Sequence, residues 1–193
     1  MKILSAVAVS LSLLAFVLLT SCKGEEKNHV SIPSLIEEQV AHVDSSLYSI
    51  TKYIYKGTDT LAVDTFYIRR EDFRNEADAF LQLPDLSLPK LAKRFKEESR
   101  YDELLKRVIL TYTPKTAKEE DWQKLEVMIA PEPATGDKVT TILANKVVNN
   151  RKGLLQEDML WIMDHSFQVT RIAQLPGEEA VTTTYKVIWN DQP

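Results

Sequence analysis

The sequence has little of two residue types on which whole classes of protein depend. It holds one cysteine and five glycines in 193 residues. A single thiol excludes an internal disulfide, so a fold outside the cytoplasm would depend on its hydrophobic core. The glycine-rich motifs that cradle nucleotide phosphates or present a nucleophilic serine do not occur in the sequence. We therefore expect neither a nucleotide cradle of that kind nor a serine-hydrolase elbow, and we expect no cofactor.

The chain also lacks a strong excess of either charge. Its 24 basic and 28 acidic residues give a formal net charge of −4. A mildly acidic chain has no electrostatic reason to bind nucleic acid, which we do not expect as a partner. The apolar fraction of 44% and the charged fraction of 27% lie in the range of globular proteins. We expect one globular domain rather than a disordered chain.

The longest apolar run lies at the amino end. Lys2 precedes an apolar stretch from Ile3 to Leu19, and the small polar residues Thr20 and Ser21 follow it. This order of charge, apolar run and small residues is typical of a secretory signal. The run is also close to the roughly 18–20 residues that span a bilayer, so its length leaves an uncleaved membrane helix open.

The lone cysteine favours the secretory signal. The segment Leu19-Thr20-Ser21-Cys22 resembles the lipobox of bacterial lipoproteins. In that family the thiol is diacylated, the signal is cut just before the cysteine, and the new amino group is usually acylated too. The resemblance implies a signal peptide over residues 1–21 and lipidation at Cys22. Two or three acyl chains hold a protein stably on a membrane, whereas one chain binds only marginally.

Residues 22–32 are polar and without periodicity after the cysteine, and we interpret them as the lipidated residue and a tether. Lys23 followed by Glu25 and Glu26 resembles the surface-export signal of Bacteroidota lipoproteins, and a solvated spacer explains the same residues equally well. Two later segments, Arg70-Glu-Asp-Phe-Arg and Leu160-Trp-Ile-Met-Asp, resemble Bacteroidota outer-membrane lipoproteins without an assigned activity. We expect a location in the cell envelope, anchored in the outer membrane on its periplasmic or surface face.

Residues 33–193 are expected to form a single domain that begins with helices. Ser34 and Glu37 form a capping-box pattern, and apolar residues then recur every three or four positions from Ile36 to Ile54. This spacing predicts a helix over residues 34–56. Because its second half is rich in strand formers, a helix ending near Ser45 with a strand over residues 47–56 is the alternative.

The period then changes from helix to strand. We predict two further helices, over residues 70–83 and from Leu86 onward, with residues 61–68 extended or irregular between the first two helices. Six strands are predicted after them, over 104–112, 122–130, 139–148, 155–163, 167–175 and 181–189. The last strand alternates with apolar residues mostly on one side, which indicates an antiparallel sheet with one covered face. We therefore expect an α+β fold, with N-terminal helices packed on one face of a mostly meander sheet of about five to six strands.

The three histidines provide the candidates for chemistry. His29 lies in the tether, and His42 shares a predicted helix face with Glu38 at i, i+4. Two ligands do not make a metal site, so we expect no bound metal. Asp164, His165 and Ser166 bring the residue types of a catalytic triad together, but a triad needs groups that converge from separate places. We interpret this segment as a turn.

Charged and aromatic residues are expected to have structural roles. The basic residues of segment 69–74 interleave with acidic ones, and those of segment 90–96 are followed directly by Glu97 and Glu98. Both patterns are typical of exposed, ion-paired surfaces. The three tryptophans lie in predicted strands and are expected to pack in the core or on the sheet rather than to form a ligand platform. They are Trp122, Trp161 and Trp189.

Two functional hypotheses follow. The first is a non-enzymatic, membrane-anchored envelope lipoprotein that binds a partner protein or a small apolar ligand, or has a structural role. The second is an envelope hydrolase that uses carboxylates and His165. The hydrolase requires Asp164 or His165 to line a concave pocket with a second acidic group facing it. The sequence favours the first hypothesis, because no catalytic constellation is apparent in it.

Overall fold

The structure is a computed structural model that describes residues 31–57, 63–134 and 136–190. The predicted signal peptide, the lipidation site at Cys22 and His29 lie outside these residues and stay predictions. Four helices are described: α1 Ile32–Ser45, α2 Phe73–Glu76, α3 Asp78–Leu81 and α4 Pro89–Ala92. Nine strands are described: β1 Ile50–Lys56, β2 Val63–Ile68, β3 Phe95–Asp102, β4 Arg107–Pro114, β5 Trp122–Ala130, β6 Lys138–Asn150, β7 Gly153–Ile162, β8 Ser166–Gln174 and β9 Val181–Ile188. Turns of 3₁₀ helix cover Arg70–Asp72 and Ala117–Glu119.

Helix α1 is amphipathic, and its N-cap lies three residues before the predicted one. The Ser31 side chain, rather than that of Ser34, accepts a hydrogen bond from a backbone N–H of the first turn, at 3.4 Å. Four apolar side chains at helical spacing are fully buried: Ile32, Ile36, Val40 and Val43. The last two residues of the predicted tether therefore belong to the helix cap and to the hydrophobic core.

The prediction of one helix over residues 34–56 is wrong, and the alternative that ends it near Ser45 is confirmed. After the helix, Leu47 is 94% exposed, and β1 begins at Ile50. The segment from Thr51 to Tyr55 pairs with strands on both sides, β2 and β9. Backbone pairing on two sides suits its β-branched and aromatic residues, so tertiary context outweighs the helical spacing.

The predicted helices after β2 are broken into short pieces. In place of one helix over residues 70–83, a 3₁₀ turn is followed by α2 and α3, which have four residues each. The third predicted helix is reduced to α4, because Phe95 already belongs to β3. These turns nevertheless bury Phe73, Ala77 and Phe80 completely. Burial of apolar side chains, rather than helix propensity, therefore fixes their position.

The nine strands form one antiparallel sheet in the order β2-β1-β9-β8-β7-β6-β5-β4-β3. From β3 to β9 each strand pairs with the next along the chain, while β1 pairs with β9 and β2 with β1. The expected α+β class with five to six strands is therefore wrong: the described residues form a mostly β fold with nine strands. The six predicted strands overlap β4 to β9. Strand β1 was predicted only in the alternative for residues 47–56, β2 lies in the segment expected to be extended or irregular, and β3 was not predicted.

The core lies between one face of the sheet and the helices. We call this surface the inner face; it carries Trp161 and Phe167, which are buried and stack at 5.1 Å between ring centroids. Phe80 approaches Trp161 edge-on at 5.0 Å, and Phe73 approaches Trp189 at 5.1 Å. Each such ring contributes about 1.5–3 kcal/mol through burial, with a further contribution from aromatic geometry. The expectation that Trp161 and Trp189 pack in the core is confirmed.

The tip of the β6–β7 hairpin requires a glycine. Gly153 has φ +130°, and a Cβ atom there would lie 2.2 Å from the backbone oxygen of Gln174 on β8. Gly177, in the β8–β9 turn, has φ +81° with nothing within 4 Å of such an atom. Both positions disfavour a side chain through their dihedral angles, but only Gly153 adds a collision with backbone.

We predict that Gly153→Ala lowers the free energy of unfolding by more than about 3 kcal/mol, since strain and collision combine. Gly177→Ala, the matched control, should cost about 1 kcal/mol from its dihedral angle alone. Urea unfolding followed by tryptophan fluorescence measures both values. Equal costs for the two variants would contradict the close approach of β7 to β8.

Candidate functional site

The triad-like segment forms the turn between β7 and β8, as the sequence predicted. The His165 backbone N–H donates to the Ile162 carbonyl at 3.2 Å, and Asp164 has a left-handed φ of +59°. His165 Nδ1 lies 2.8 Å from the hydroxyl of the neighbouring Ser166, which is buried. Aspartate tolerates left-handed backbone better than most residues, which suits it to this turn.

Helix α1 holds this turn through one glutamine. Gln39 Nε2 donates to the Asp164 carboxylate at 2.8 Å, and its Oε1 accepts from the Asp164 backbone N–H at 2.7 Å. Lys138 donates to the other carboxylate oxygen at 3.3 Å, and Asn190 donates to the Asp164 carbonyl at 3.0 Å. The Asp164 carboxylate therefore links the turn to helix α1. Among the described residues it accepts hydrogen bonds from Gln39 and Lys138 rather than from His165.

The electrostatic surroundings keep this carboxylate ionised. Burial raises the pKa of Asp164. The hydrogen bonds from Gln39 and Lys138 and the charges of Lys138 and His42 lower the pKa by more than burial raises it, so it lies below the ordinary value. Among residues 31–57, 63–134 and 136–190, no three histidine, cysteine or acidic side chains come together as a metal ion would require.

A cleft of about 360 Å³ adjoins the turn. Leu105, Arg107, Met128 and Lys138 are among the residues that line it, and Asp164 belongs to the lining while His165 does not. The only acidic residue in this lining is Asp164 itself. The described geometry therefore lacks the second acidic group that a carboxylate hydrolase at this position requires.

The predicted ion-paired surfaces are present where the chain is described. Arg69 contacts Glu71 and Asp72, at 3.3 and 2.9 Å. Arg94 pairs with Glu120 from the segment before β5. The arginine side chain of each pair is at least half exposed, so each pair contributes little to the free energy of unfolding.

A second cluster, which sequence reasoning missed, lies on the inner face of the sheet. Glu157 on β7 is directly opposite Arg171 on β8 and Lys146 on β6. It lies four residues before Trp161, so its side chain points to the same face as the aromatic core. Glu157 is only 5% exposed. We call Lys146, Glu157 and Arg171 the polar row.

The polar row is held by directed contacts. Arg171 donates from Nε and Nη2 to one oxygen of Glu157, at 2.9 and 2.6 Å, while Lys146 Nζ lies 4.0 Å from the other oxygen. Two cations face one buried carboxylate, so the row has a formal charge of +1. Arg171 remains half exposed, and three of its five N–H donors have no acceptor among the described hydrogen bonds.

Aromatic rings flank the polar row on both sides. Lys146 Nζ lies 5.2 Å from the ring centroid of Trp122, which is half-buried beside the core. On the other side is Tyr185 of β9, with Lys52 Nζ 5.1 Å from its ring centroid. Lys52 in turn forms an ion pair of 2.6 Å with Glu76 of α2. Trp122 therefore packs beside the core, as expected, and also borders a charged cluster.

Burial and the neighbouring charges shift the pKa of the Tyr185 hydroxyl. Burial raises the pKa of its hydroxyl to about 12; the positive charge of Arg171 opposes this shift, and the carboxylates of Glu76, Glu157 and Asp78 add to it. The hydroxyl is therefore neutral at physiological pH. This favours a role in packing and hydrogen bonding rather than in proton transfer near pH 7.

An apolar row lies beyond the polar row, one step further along the same face. Val148, Leu155, Ala173 and Val181 are directly opposite one another on β6, β7, β8 and β9. Leu155 and Val148 are half-buried, whereas Val181 is 63% exposed. The inner face thus continues from aromatic core to polar row to partly exposed apolar row.

Comparison with family models, with curated proteins and with solved structures finds no match for this chain. Among the described residues, no helix is both long and apolar enough to cross a bilayer.

Removing the charge of Asp164 should weaken the contact between α1 and the turn. We predict that Asp164→Asn, which keeps the size of the side chain, lowers the free energy of unfolding at pH 7 by about 1 kcal/mol, a value discounted for partial exposure. The folded pKa lies below the ordinary value of 3.8. The contribution is therefore complete above that value and is lost as the pH falls through the folded pKa. Urea unfolding from pH 7 to pH 2 should show the two stabilities converge in acid; a constant difference would contradict this.

Substitutions of the two members of the Glu157–Arg171 ion pair should lower the free energy of unfolding by different amounts. Arg171→Met leaves the buried Glu157 without its hydrogen-bonded cation, so we predict a loss of about 2–3 kcal/mol in the free energy of unfolding. Glu157→Gln leaves a half-exposed guanidinium that water can hydrate, and should cost about 1 kcal/mol. Denaturant titration at pH 7 compares them. A larger cost for Glu157→Gln would contradict the assigned burial.

Proposed function

We propose that this chain is a lipid-anchored protein of the bacterial cell envelope whose domain binds a small amphiphile without catalysing a reaction. The ligand would have an apolar chain and one anionic group. The anchor is supported by the resemblance of Leu19-Thr20-Ser21-Cys22 to a lipobox. Acylation of Cys22 would hold the domain at the outer membrane. A binding role is supported by the two rows on the inner face.

The apolar row supports an apolar ligand chain. It crosses four strands, so its three inter-strand spacings of about 4.8 Å extend over roughly 14 Å. A ligand chain that covered this row would remove partly exposed side chains such as Leu155 and Val181 from water. Burial of apolar surface contributes about 25 cal/mol of favourable free energy per Å². The row lies directly beside the polar row, since Leu155 and Glu157 are neighbours on the same face of β7.

The polar row supports an anionic group on that ligand. Arg171 is half exposed and already oriented by Glu157, so its remaining donors need little ordering before they bind an oxygen. Lys146 adds a second positive charge beside Trp122. The juxtaposition of this oriented cation with the apolar row is the observation that carries the proposal.

The contacts at Asp164 and His165 do not favour the hydrolase. The Asp164 carboxylate is engaged by Gln39 and Lys138, and His165 Nδ1 is beside the hydroxyl of its own neighbour. A hydrolase would need these groups to converge on a substrate. We therefore propose no reaction at this turn.

The anchor is tested by the fate of Cys22. Grown with an alkyne-bearing palmitate, cells that express the full chain should yield a labelled protein whose mature amino terminus is acylated Cys22. We predict that Cys22→Ser abolishes the label, because the thiol that carries the acyl chains is removed. A full chain that incorporates no label, or whose mature amino terminus is not an acylated Cys22, would contradict the anchor.

The ligand site is tested separately from the anchor. A chain that begins at residue 22 with Cys22→Ser carries neither signal peptide nor acyl chains, and dansyl-labelled undecanoate reports binding by fluorescence. We predict that Arg171→Ala raises the Kd about tenfold, the loss expected for one charge-assisted hydrogen bond. Lys124→Ala is the matched control, since Lys124 is 49% exposed, comparable to Arg171 at 50%, but lies on the opposite face of the sheet.

Binding that is unaffected by Arg171→Ala, or equally reduced by Lys124→Ala, would contradict the assigned site. Tight binding of dodecane-like neutral probes with no preference for the carboxylate would contradict the role of the polar row.

A further inference from the structure

The two edges of the sheet differ in how they are protected. Edge strand β3 has five charged residues in eight, and its ion pairs Lys96–Glu98 and Arg100–Asp102 lie along it at 2.5 and 3.0 Å. Edge strand β2 has the sequence VDTFYI, with one charged residue in six. Charges along an edge prevent another strand from pairing with it. By this criterion β3 is protected and β2 is not.

Strand β2 is also exposed. Its four central residues, Asp64 to Tyr67, are all exposed, and Phe66 and Tyr67 are 48% and 82% accessible. Within residues 31–57, 63–134 and 136–190, β2 has one strand neighbour, β1. A strand with aromatic side chains and few charges at an open edge can accept a further strand by backbone hydrogen bonding.

We propose that β2 pairs with β2 of a second copy of this chain, antiparallel and across a two-fold axis near Phe66. Such an axis runs perpendicular to the sheet, so the two nine-stranded sheets join edge to edge with their inner faces on the same side. This inference concerns assembly and does not depend on the anchor or on the amphiphile site.

The strand is complementary to itself. With Phe66 opposite Phe66 of the second copy, Thr65 is opposite Tyr67 and Asp64 is opposite Ile68. Asp64 is the only charge in the strand, so this register brings no like charges together. Aromatic and β-branched residues directly opposite each other stabilise antiparallel pairs. At β3, a pairing centred on Glu98 would place Glu98 opposite Glu98 and Lys96 opposite Arg100, so that register is disfavoured.

Crosslinking in the native membrane tests this assembly on the full chain. Because Cys22 is the only cysteine, Tyr67→Cys introduces one defined thiol, and Tyr101→Cys introduces a matched one on β3, where Tyr101 is 57% exposed. After treatment with a short bis-maleimide, we expect roughly tenfold more crosslinked dimer for Tyr67→Cys than for Tyr101→Cys, because pairing raises the effective concentration of the thiols. The unsubstituted chain shows any crosslinking through Cys22.

Equal yields for the two variants, or a Tyr67→Cys yield no higher than that of the unsubstituted chain, would overturn the proposal. A second measurement does not rely on crosslinking: the molar mass of the full chain in detergent by light scattering. Tyr67→Lys adds an edge charge and should raise the dimer dissociation constant about tenfold, whereas Tyr101→Lys should leave it unchanged. A molar mass of one chain at all concentrations would also overturn the proposal.

Discussion

The need to cover one face of a very wide sheet is the constraint on which the rest of this structure depends. Nine strands have eight spacings of about 4.8 Å, or roughly 38 Å measured across the sheet. Helix α1, at 14 residues, is about 21 Å long, and the three other helices have four residues each. These helices bring Phe73 and Phe80 onto Trp161 and seal the aromatic core. They are too small to cover the whole inner face.

The polar row marks the border of that cover. A buried ion pair such as Glu157–Arg171 seldom stabilises a protein more than apolar side chains of similar size would. Its presence between the aromatic core and a second apolar row is therefore not explained by stability. A ligand with an apolar chain and an anionic group gives both rows a use, because one holds the chain and the other holds the charge. This is the reason for preferring binding to catalysis for this domain.

The sequence predicts the second half of the fold well and the first half poorly. Strands β4 to β9 alternate apolar residues on one face, and turn residues separate them, so local pattern is sufficient. Strand β1 carries a spacing of three and four that continues from α1, and only its pairing with β2 and β9 decides its conformation. Strand β3 has almost no apolar pattern, because it is an edge strand whose charges meet water.

The candidate site shows a similar limit. The turn at Asp164 was recognisable from local sequence, but its contact with Gln39, 125 residues away, was not. Lys146, Glu157 and Arg171 appear in sequence as polar interruptions of three strands. The sequence did offer one signal, the alternation of side chains along a strand. Glu157 lies four residues from Trp161, and Arg171 lies four residues from Phe167, so each charged residue shares the face of its aromatic neighbour. Only the register between strands, which the sequence does not give, brings the three charges into one row.

The most direct measurement of the central claim is methyl NMR of the chain during titration with laurate. Binding on the inner face predicts that the methyl resonances of Val148, Leu155 and Val181 shift together and saturably. The methyl groups of Leu143 and Leu160, on the opposite face of β6 and β7, should stay unchanged. Shifts confined to Leu143 and Leu160, or to the cleft beside Leu105 and Met128, would contradict an amphiphile site at the polar and apolar rows.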